Sequence, residues 1–257
     1  MKSLYLLQAN FRREAILLKR YLPNTISMII TFYCIFLAMF FGIKIVGDPG
    51  SVDTNVQYVI VNYIFWYIAM MAMQDIGWVI SNEASLGTLE QMYMSPMGAW
   101  RILFARIVSS TVLQLIIISL LLYVSMATTN TWLNIDILSI APILILTLLS
   151  MYGISFMIAG MAIIFKQIQA FLQILQFVFM GLTFLPLSVA PYLAAAPFVK
   201  GVDMVRTIMV KGVSLQSFTA IDFLILGVNA LVYLSLGLWV FKKCEEIAMK
   251  KGILGQH

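Results

Sequence analysis

The chain is poor in charge. Lys, Arg, Asp and Glu together make up 11% of its 257 residues, where a soluble domain carries about a quarter. Apolar residues fill the gap at 62%, with a mean hydropathy of +0.97, and the excess runs from end to end. A water-soluble globule is excluded. No soluble domain is expected beside the apolar part, so residues 1–257 read as a single membrane domain. Histidine is nearly absent: His257, the last residue, is the only one, which excludes a histidine-built metal centre or catalytic base. The two cysteines, Cys34 and Cys244, cannot make a disulfide framework. The phosphate-cradling G-x-x-x-x-G-K-[ST] loop and the zinc-binding H-E-x-x-H are both missing, so ATP hydrolysis by that route is excluded and so is zinc-protease chemistry. No serine has the usual general base in its surroundings. The chain is therefore expected to be no enzyme, with no catalytic residue, no metal and no cofactor of its own. Its formal charge of +5 comes from Lys and Arg in tails and turns, where they orient helices rather than bind nucleic acid. The N-terminal stretch is basic and lacks a small-residue cleavage site after a short apolar core, so no cleavable leader is expected.

What the chain has in abundance is long apolar runs. Residues 1–22 come first and carry LYLLQANFRREAILLKRY, in which Leu4, Leu7, Phe11, Ala15 and Leu18 recur on one face, with Arg12, Arg13, Lys19 and Arg20 as polar partners. That pattern predicts an amphipathic helix lying in the membrane surface, in contact with lipid headgroups. Pro23 and Asn24 are expected to separate it from the first span. Six spans follow, near residues 25–43, 56–80, 102–126, 137–165, 168–185 and 220–241, close to or above the ~20 residues that cross a bilayer core. Gly153 and Gly160 in the fourth would allow close helix contact. After the fifth span, Pro186, Pro191 and Pro197 preclude one long helix and predict two short ones at the outer interface. The expected fold class is an all-α membrane protein with six transmembrane helices, an N-terminal amphipathic interfacial helix and short re-entrant helices between spans 5 and 6.

Residues 83–101, EASLGTLEQMYMSPMGAWR, are neither apolar enough to cross a bilayer nor polar enough to form a loose tail. Leu86, Leu89, Tyr93 and Met97 are spaced by three and four, one side of a helix, and Pro96 ends or kinks the run. The pattern fits a short interfacial helix followed by a turn, and equally a plain loop between spans. Charge decides its side. Lys2, Arg12, Arg13, Lys19, Arg20, Arg101, Arg106, Lys166, Lys242, Lys243, Lys250 and Lys251 fall on one side of a six-span layout, against Lys44, Lys200, Arg206 and Lys211 on the other. The excess marks the cytoplasmic side. Both termini and the stretch itself are expected there, in a multi-pass protein of the cell (plasma or inner) membrane.

Three acids gather at or near the inner end of span 2: Asp75, Glu83 and Glu90. A carboxylate near hydrocarbon needs a partner or water, and Arg101 and Arg106 are the partners within reach; the alternatives are that the acids simply sit in headgroup water or act directly on a proton or ion. Gln169, Gln173 and Gln176 share one face of span 5, where they would line a path or join helices by hydrogen bonds. Trp66 and Tyr63, from the aromatic-rich span 2, would contact a ligand or serve as packing.

The residues Glu83, Gly87, Thr88, Leu89, Glu90, Ser95 and Pro96 form an E…GTLE…SP pattern after the second span. A second pattern, Gly181, Pro186, Pro191, Pro197 and Arg206, follows span 5, and Gly252 and Leu254 stand in the tail. In these motifs, and in length and span layout over nearly the whole chain, the sequence resembles the permease subunit of ABC-2 type transporters. The resemblance implies a coupling segment spanning Glu83 to Pro96 that docks on a separate cytoplasmic ATP-binding subunit, which would bind the ATP and Mg. It also implies that the proline-broken segment forms a pair of extracellular re-entrant helices, and that the working unit is two permeases, as a homodimer, with two ATP-binding subunits. The function it implies is export, and the scarcity of charged groups to recognise a hydrophilic ion points to a lipid-like or amphipathic substrate. The alternatives are export of a lipid-linked polysaccharide by the same architecture, or ion-coupled secondary transport.

Overall fold

A computed structural model describes residues 2–46, 52–85, 94–95, 99–165 and 168–250. Among these the chain is helical, with no strand. Helix α1 (Lys2–Arg20) is amphipathic, but its packed side is rotated from the expected one. Asn10 is buried, Leu7, Phe11 and Leu18 are half-buried, and Ala15 is exposed. Asn10 tolerates burial because its Nδ2 donates to the Leu6 carbonyl at 2.8 Å, which removes the cost of an unpaired amide. Helix α2 (Leu22–Val46) starts almost at once. Pro23 does not separate the two helices. It sits in the first turn of α2, where its missing N–H has no partner to lose, and the break is Tyr21 alone.

The remaining helices are α3 (Val52–Ser85), α4 (Ala99–Thr129), α5 (Ile137–Phe165), α6 (Gln169–Phe184), α7 (Val199–Lys211) and α8 (Ala220–Lys250), with short 3-10 turns at Pro191–Ala195 and Leu215–Ser217. Five of them, α2, α3, α4, α5 and α8, are long and apolar enough to cross a membrane, which supports a multi-pass membrane protein. Six were expected. The shortfall is α6, whose 16 residues reach about 24 Å at 1.5 Å per residue, less than a ~30 Å hydrocarbon core. Pro186 lies two residues past its end and bars continuation. Helix α8 does the opposite: it runs beyond residue 241 to Lys250, because the tail segment KKCEEIAMK is built of good helix formers and adds a Lys243–Glu246 pair at 3.1 Å. Helix α3 likewise runs past the expected end, so Glu83 belongs to its last turn rather than to the start of a surface helix.

Helix α3 is the core. In its apolar window 83% of residues are buried, against 11% in α2, 28% in α4 and 22% in α8. It touches α2, α4, α5, α6 and α7. Aromatic contacts set it antiparallel to α2, with Phe32 on Tyr67 at 4.2 Å and Phe36 on Tyr63 at 5.4 Å. It runs parallel to α5: the Ile76 N–H donates to Ser155 Oγ at 3.3 Å, and Gly77 lets the Ile158 side chain come close. It runs antiparallel to α6, where Ile168 lies near Gly77 and the Gln176 carbonyl accepts from Trp66 Nε1 at 3.2 Å.

Helices α5 and α8 are in backbone contact. A Cβ on Gly153 would collide with the Tyr233 backbone, and one on Gly237 with the Gly153 carbonyl. Further along, Gly160 faces Phe241 and Cys244. The close approach expected of Gly153 and Gly160 is thus made against α8, by the small-residue packing that membrane helices favour. Both residue series rise together, so α5 and α8 are parallel. The chain must therefore return between them, and the Leu215 N–H donating to Ser139 Oγ at 3.2 Å marks its arrival. One end of the bundle then collects the α1–α2 junction, the ends of α3, α5 and α8, and the start of α4. The other end holds α7 and the starts of α3, α5 and α8.

Local capping fixes that second end. Asp136 accepts from the Leu138 N–H at 3.2 Å and starts α5. Asp222 reaches back to the Thr219 N–H at 2.9 Å, starts α8 and also binds Lys200 Nζ at 2.7 Å, tying α7 to α8. Gly212, at φ +68°, ends α7 in the left-handed conformation that glycine adopts without strain.

Candidate functional site

Beside each end of α3 lies one largely buried arginine from a neighbouring helix, Arg106 of α4 and Arg206 of α7, and the two differ in surroundings. At the α1 end, antiparallel α3 and α4 bring Glu83 and Arg106 together, with Nη1 to Oε1 at 2.8 Å and both side chains mostly buried. Arg106 Nε has no partner. The cavity beside it, walled by Ile76, Val79, Leu103 and Ile107, holds about 10 Å³, no more than one water needs. The pair clamps α3 to α4.

The other expected residues of this region lie around the clamp. Asp75 is on α3 and its side chain lies outside the described residues, as do Gly87, Thr88, Leu89, Glu90 and Pro96. Ser95 is half-buried, and Arg101 is exposed at the start of α4. Along α6, Gln169 and Gln173 face outward, while Gln176 is half-buried and accepts from Trp66 through its main-chain carbonyl rather than its side chain. Tyr63 and Trp66 are buried, Tyr63 against Phe36 of α2 and Trp66 against Phe32 of α2 and the Gln176 carbonyl of α6.

At the α7 end the geometry opens. A cavity of about 450 Å³ is walled on the α3 side by Asn55, Tyr58 and Asn62 and on the α7 side by Asp203, Arg206, Thr207 and Lys211; Phe184, Pro186 and Ser188 close it where α6 gives way to the broken segment. A shallower hollow of about 380 Å³ continues it toward Gly42 and Ile43 of α2 and shares Asn55, Tyr58, Asn62 and Phe184. Arg206 is 7% exposed. Its Nη2 donates to the Thr183 carbonyl at 3.0 Å, Asp203 stands off at 3.8 Å, and Nε has no partner. Asn62 is also buried with Oδ1 unpaired. Burial pulls the Arg206 guanidinium below its ordinary pKa, and Asp203 and Tyr58 act against that. It remains a cation, since arginine does not deprotonate in proteins.

The proline-broken segment builds this end. Gly181 lies in the last turn of α6, where its carbonyl accepts from the Leu185 N–H, and Pro191 opens the first 3-10 turn. Pro197 is buried beside Phe198, which holds a left-handed φ of 58°. That conformation is costly for a bulky residue; burial, an edge contact on Phe179 at 5.3 Å and a bond from its N–H to Ser150 Oγ enforce it. The result steers α7 into the bundle, and Arg206 with it.

On the opposite side of α7, Val205 and Met209 join Val61 and Phe65 of α3 and Leu115 and Ile118 of α4 around an apolar crevice of about 270 Å³. The two cavities suit a polar group and a hydrocarbon chain respectively.

Sequence reasoning found Arg206 and Pro186 but missed Asn55, Tyr58, Asn62, Asp203, Thr207 and Lys211. A signal existed: polar residues at steps of three and four in the first turns of α3 and again along α7 mark two wet helix faces. No protein-family model, curated protein or solved structure matches the chain.

Proposed function

We propose that the chain is the membrane subunit of an ABC-2 type exporter that moves a lipid-like or amphipathic molecule out of the cytoplasm, driven by a separate ATP-binding subunit. The observation that carries this reading is the position of Glu83. It is clamped to Arg106 in the last turn of the most buried helix, directly before the GTLE…SP stretch. A push on that stretch would pass to α3 as a rigid element, and α3 touches five other helices. Coupling over distance needs such a packed rigid path. Six crossings fit the parallel arrangement of α5 and α8, which requires α6 and the segment after it to carry the chain back. With six, both termini lie at the clamp end, the end that collects Arg12, Arg13, Lys19, Arg20, Arg101, Lys242 and Lys243, and the positive-inside rule makes that end cytoplasmic. The exposed apolar faces of α2, α6 and α8 are left for lipid and for a second permease in a complex of two permeases and two ATP-binding subunits.

The test is to co-express the chain with an ABC-type ATP-binding subunit, sought first among the genes beside its own. Co-purification is expected. Glu90→Ala is expected to lower transport-linked ATP hydrolysis several-fold while leaving the permease folded. Glu83→Ala should do the same but also loosens the clamp, so Glu90→Ala is the cleaner arm. Failure to co-purify, together with full transport-linked hydrolysis in Glu90→Ala, would sink the assignment.

A further inference from the structure

We propose that the polar cavity at the α7 end binds a phosphate ester that carries a hydroxyl donor, a glycerophosphate-type group, between Arg206 and Lys211 on one side and Asn62 on the other. The cavity has room for such a group at about 450 Å³. Its charged lining is Asp203, Arg206 and Lys211, one negative and two positive groups, so the net charge favours an anion. Arg206 is more than nine-tenths buried, yet its Nε has no partner. A buried cationic donor without an acceptor is costly, and the Thr183 carbonyl satisfies only Nη2. Phosphate oxygens are the acceptors that a guanidinium fork fits best. Lys211, exposed at the end of α7, supplies a second point charge beside the same opening.

A bare oxyanion does not account for the whole lining. Asn62 Oδ1 is a buried acceptor with nothing to accept from. Asp203 is held only loosely by Arg206, at 3.8 Å. Both residues line the cavity, and hydroxyls next to the phosphate are donors for the Asp203 carboxylate, on a side chain that is a third exposed. Tyr58 and Ser188 add hydroxyls that can donate or accept, and the Thr207 hydroxyl, which already donates to the Asp203 carbonyl at 2.9 Å, can accept. The same chemistry is offered by a phospholipid headgroup entering from the bilayer and by a soluble phosphate ester entering from water.

Binding is measured on the purified full chain in detergent by native mass spectrometry and thermal shift. The probes are short-chain phosphatidylglycerol, short-chain diacylglycerol and glycerol 3-phosphate. No ATP-binding partner is present, so the outcome is independent of the exporter reading. Phosphatidylglycerol is expected to bind saturably. Its affinity should fall about tenfold in Arg206→Gln and about threefold in Lys211→Gln, as expected for charge-assisted bonds to phosphate. Lys200→Gln, which removes a cation paired with Asp222 outside the cavity lining, should leave affinity unchanged. If glycerol 3-phosphate shows the same variant pattern, the cavity takes a soluble ester as well; if only the lipid does, the source is the headgroup. Should Arg206→Gln fail to fold, Lys211→Gln decides alone. Equal binding of diacylglycerol and phosphatidylglycerol, or equal affinity in wild type and Lys211→Gln, overturns the proposal.

Discussion

The two arginines of this protein are an internal control for each other. Arg106 and Arg206 are both largely buried at helix contacts made by α3, and both have an Nε without a partner. Arg106 is neutralised by Glu83 at 2.8 Å, beside a space of about 10 Å³. Arg206 has its nearest carboxylate at 3.8 Å, beside a space of about 450 Å³. An unpartnered atom therefore does not by itself mark a site. The room beside the side chain does: Arg206 lines a cavity that holds a ligand or several waters, whereas the space beside Arg106, among the described residues, is about that of one water. The comparison separates a charge used to hold helices together from one left available.

The largest effect is expected from breaking the tight pair. Glu83→Ala strands Arg106 in an apolar wall, and removing one partner of a buried pair costs about 3–5 kcal/mol, the lower end being expected for this partly exposed one. It should appear as a clear drop in the thermal unfolding midpoint of the purified chain. Joint replacement, Glu83→Leu with Arg106→Met, should recover most of that loss, since two apolar groups of similar volume need no pairing. Arg206→Gln should cost less, about 1–2 kcal/mol, because water in the cavity replaces part of what is lost. If Arg206→Gln proved more destabilising than Glu83→Ala, the distinction between clamp and open site would be gone. The smallest effect is expected at the middle of α3: Trp66→Phe removes one bond to the Gln176 carbonyl, about 0.6 kcal/mol as the average for such bonds between membrane helices, and loses a little packing besides. A much larger loss would move the weight of the fold from the α3 ends to its middle.

The clamp was legible in part. Glu83, Arg101 and Arg106 stand out as charges in an apolar chain, and the rule that buried acids need partners narrows the options to two arginines. Which arginine pairs depends on the register of α3 against α4, and both helices are apolar nearly all round, so no stripe indicates the register. The cavity was less legible. Arg206 is visible in the sequence, but its neighbours Asn55, Tyr58 and Asn62 sit in an ordinary helix start that reads as the polar edge of a span. Only the packing of α7 against α3 brings them together.

The sequence by itself determined that the protein is helical and built for a membrane, because apolar run length against bilayer thickness is a one-dimensional property. It placed the fourth span at residues 137–165, where α5 lies, and it located the proline break that ends α6. Tertiary structure alone decided that α3 is the buried centre, that α5 and α8 run parallel in backbone contact, and that one arginine is locked while the other faces open space. The physical reason is that lipid tails are as apolar as leucine side chains. A helix surface bound for the bilayer and one bound for a neighbouring helix carry the same residues, and only packing tells them apart.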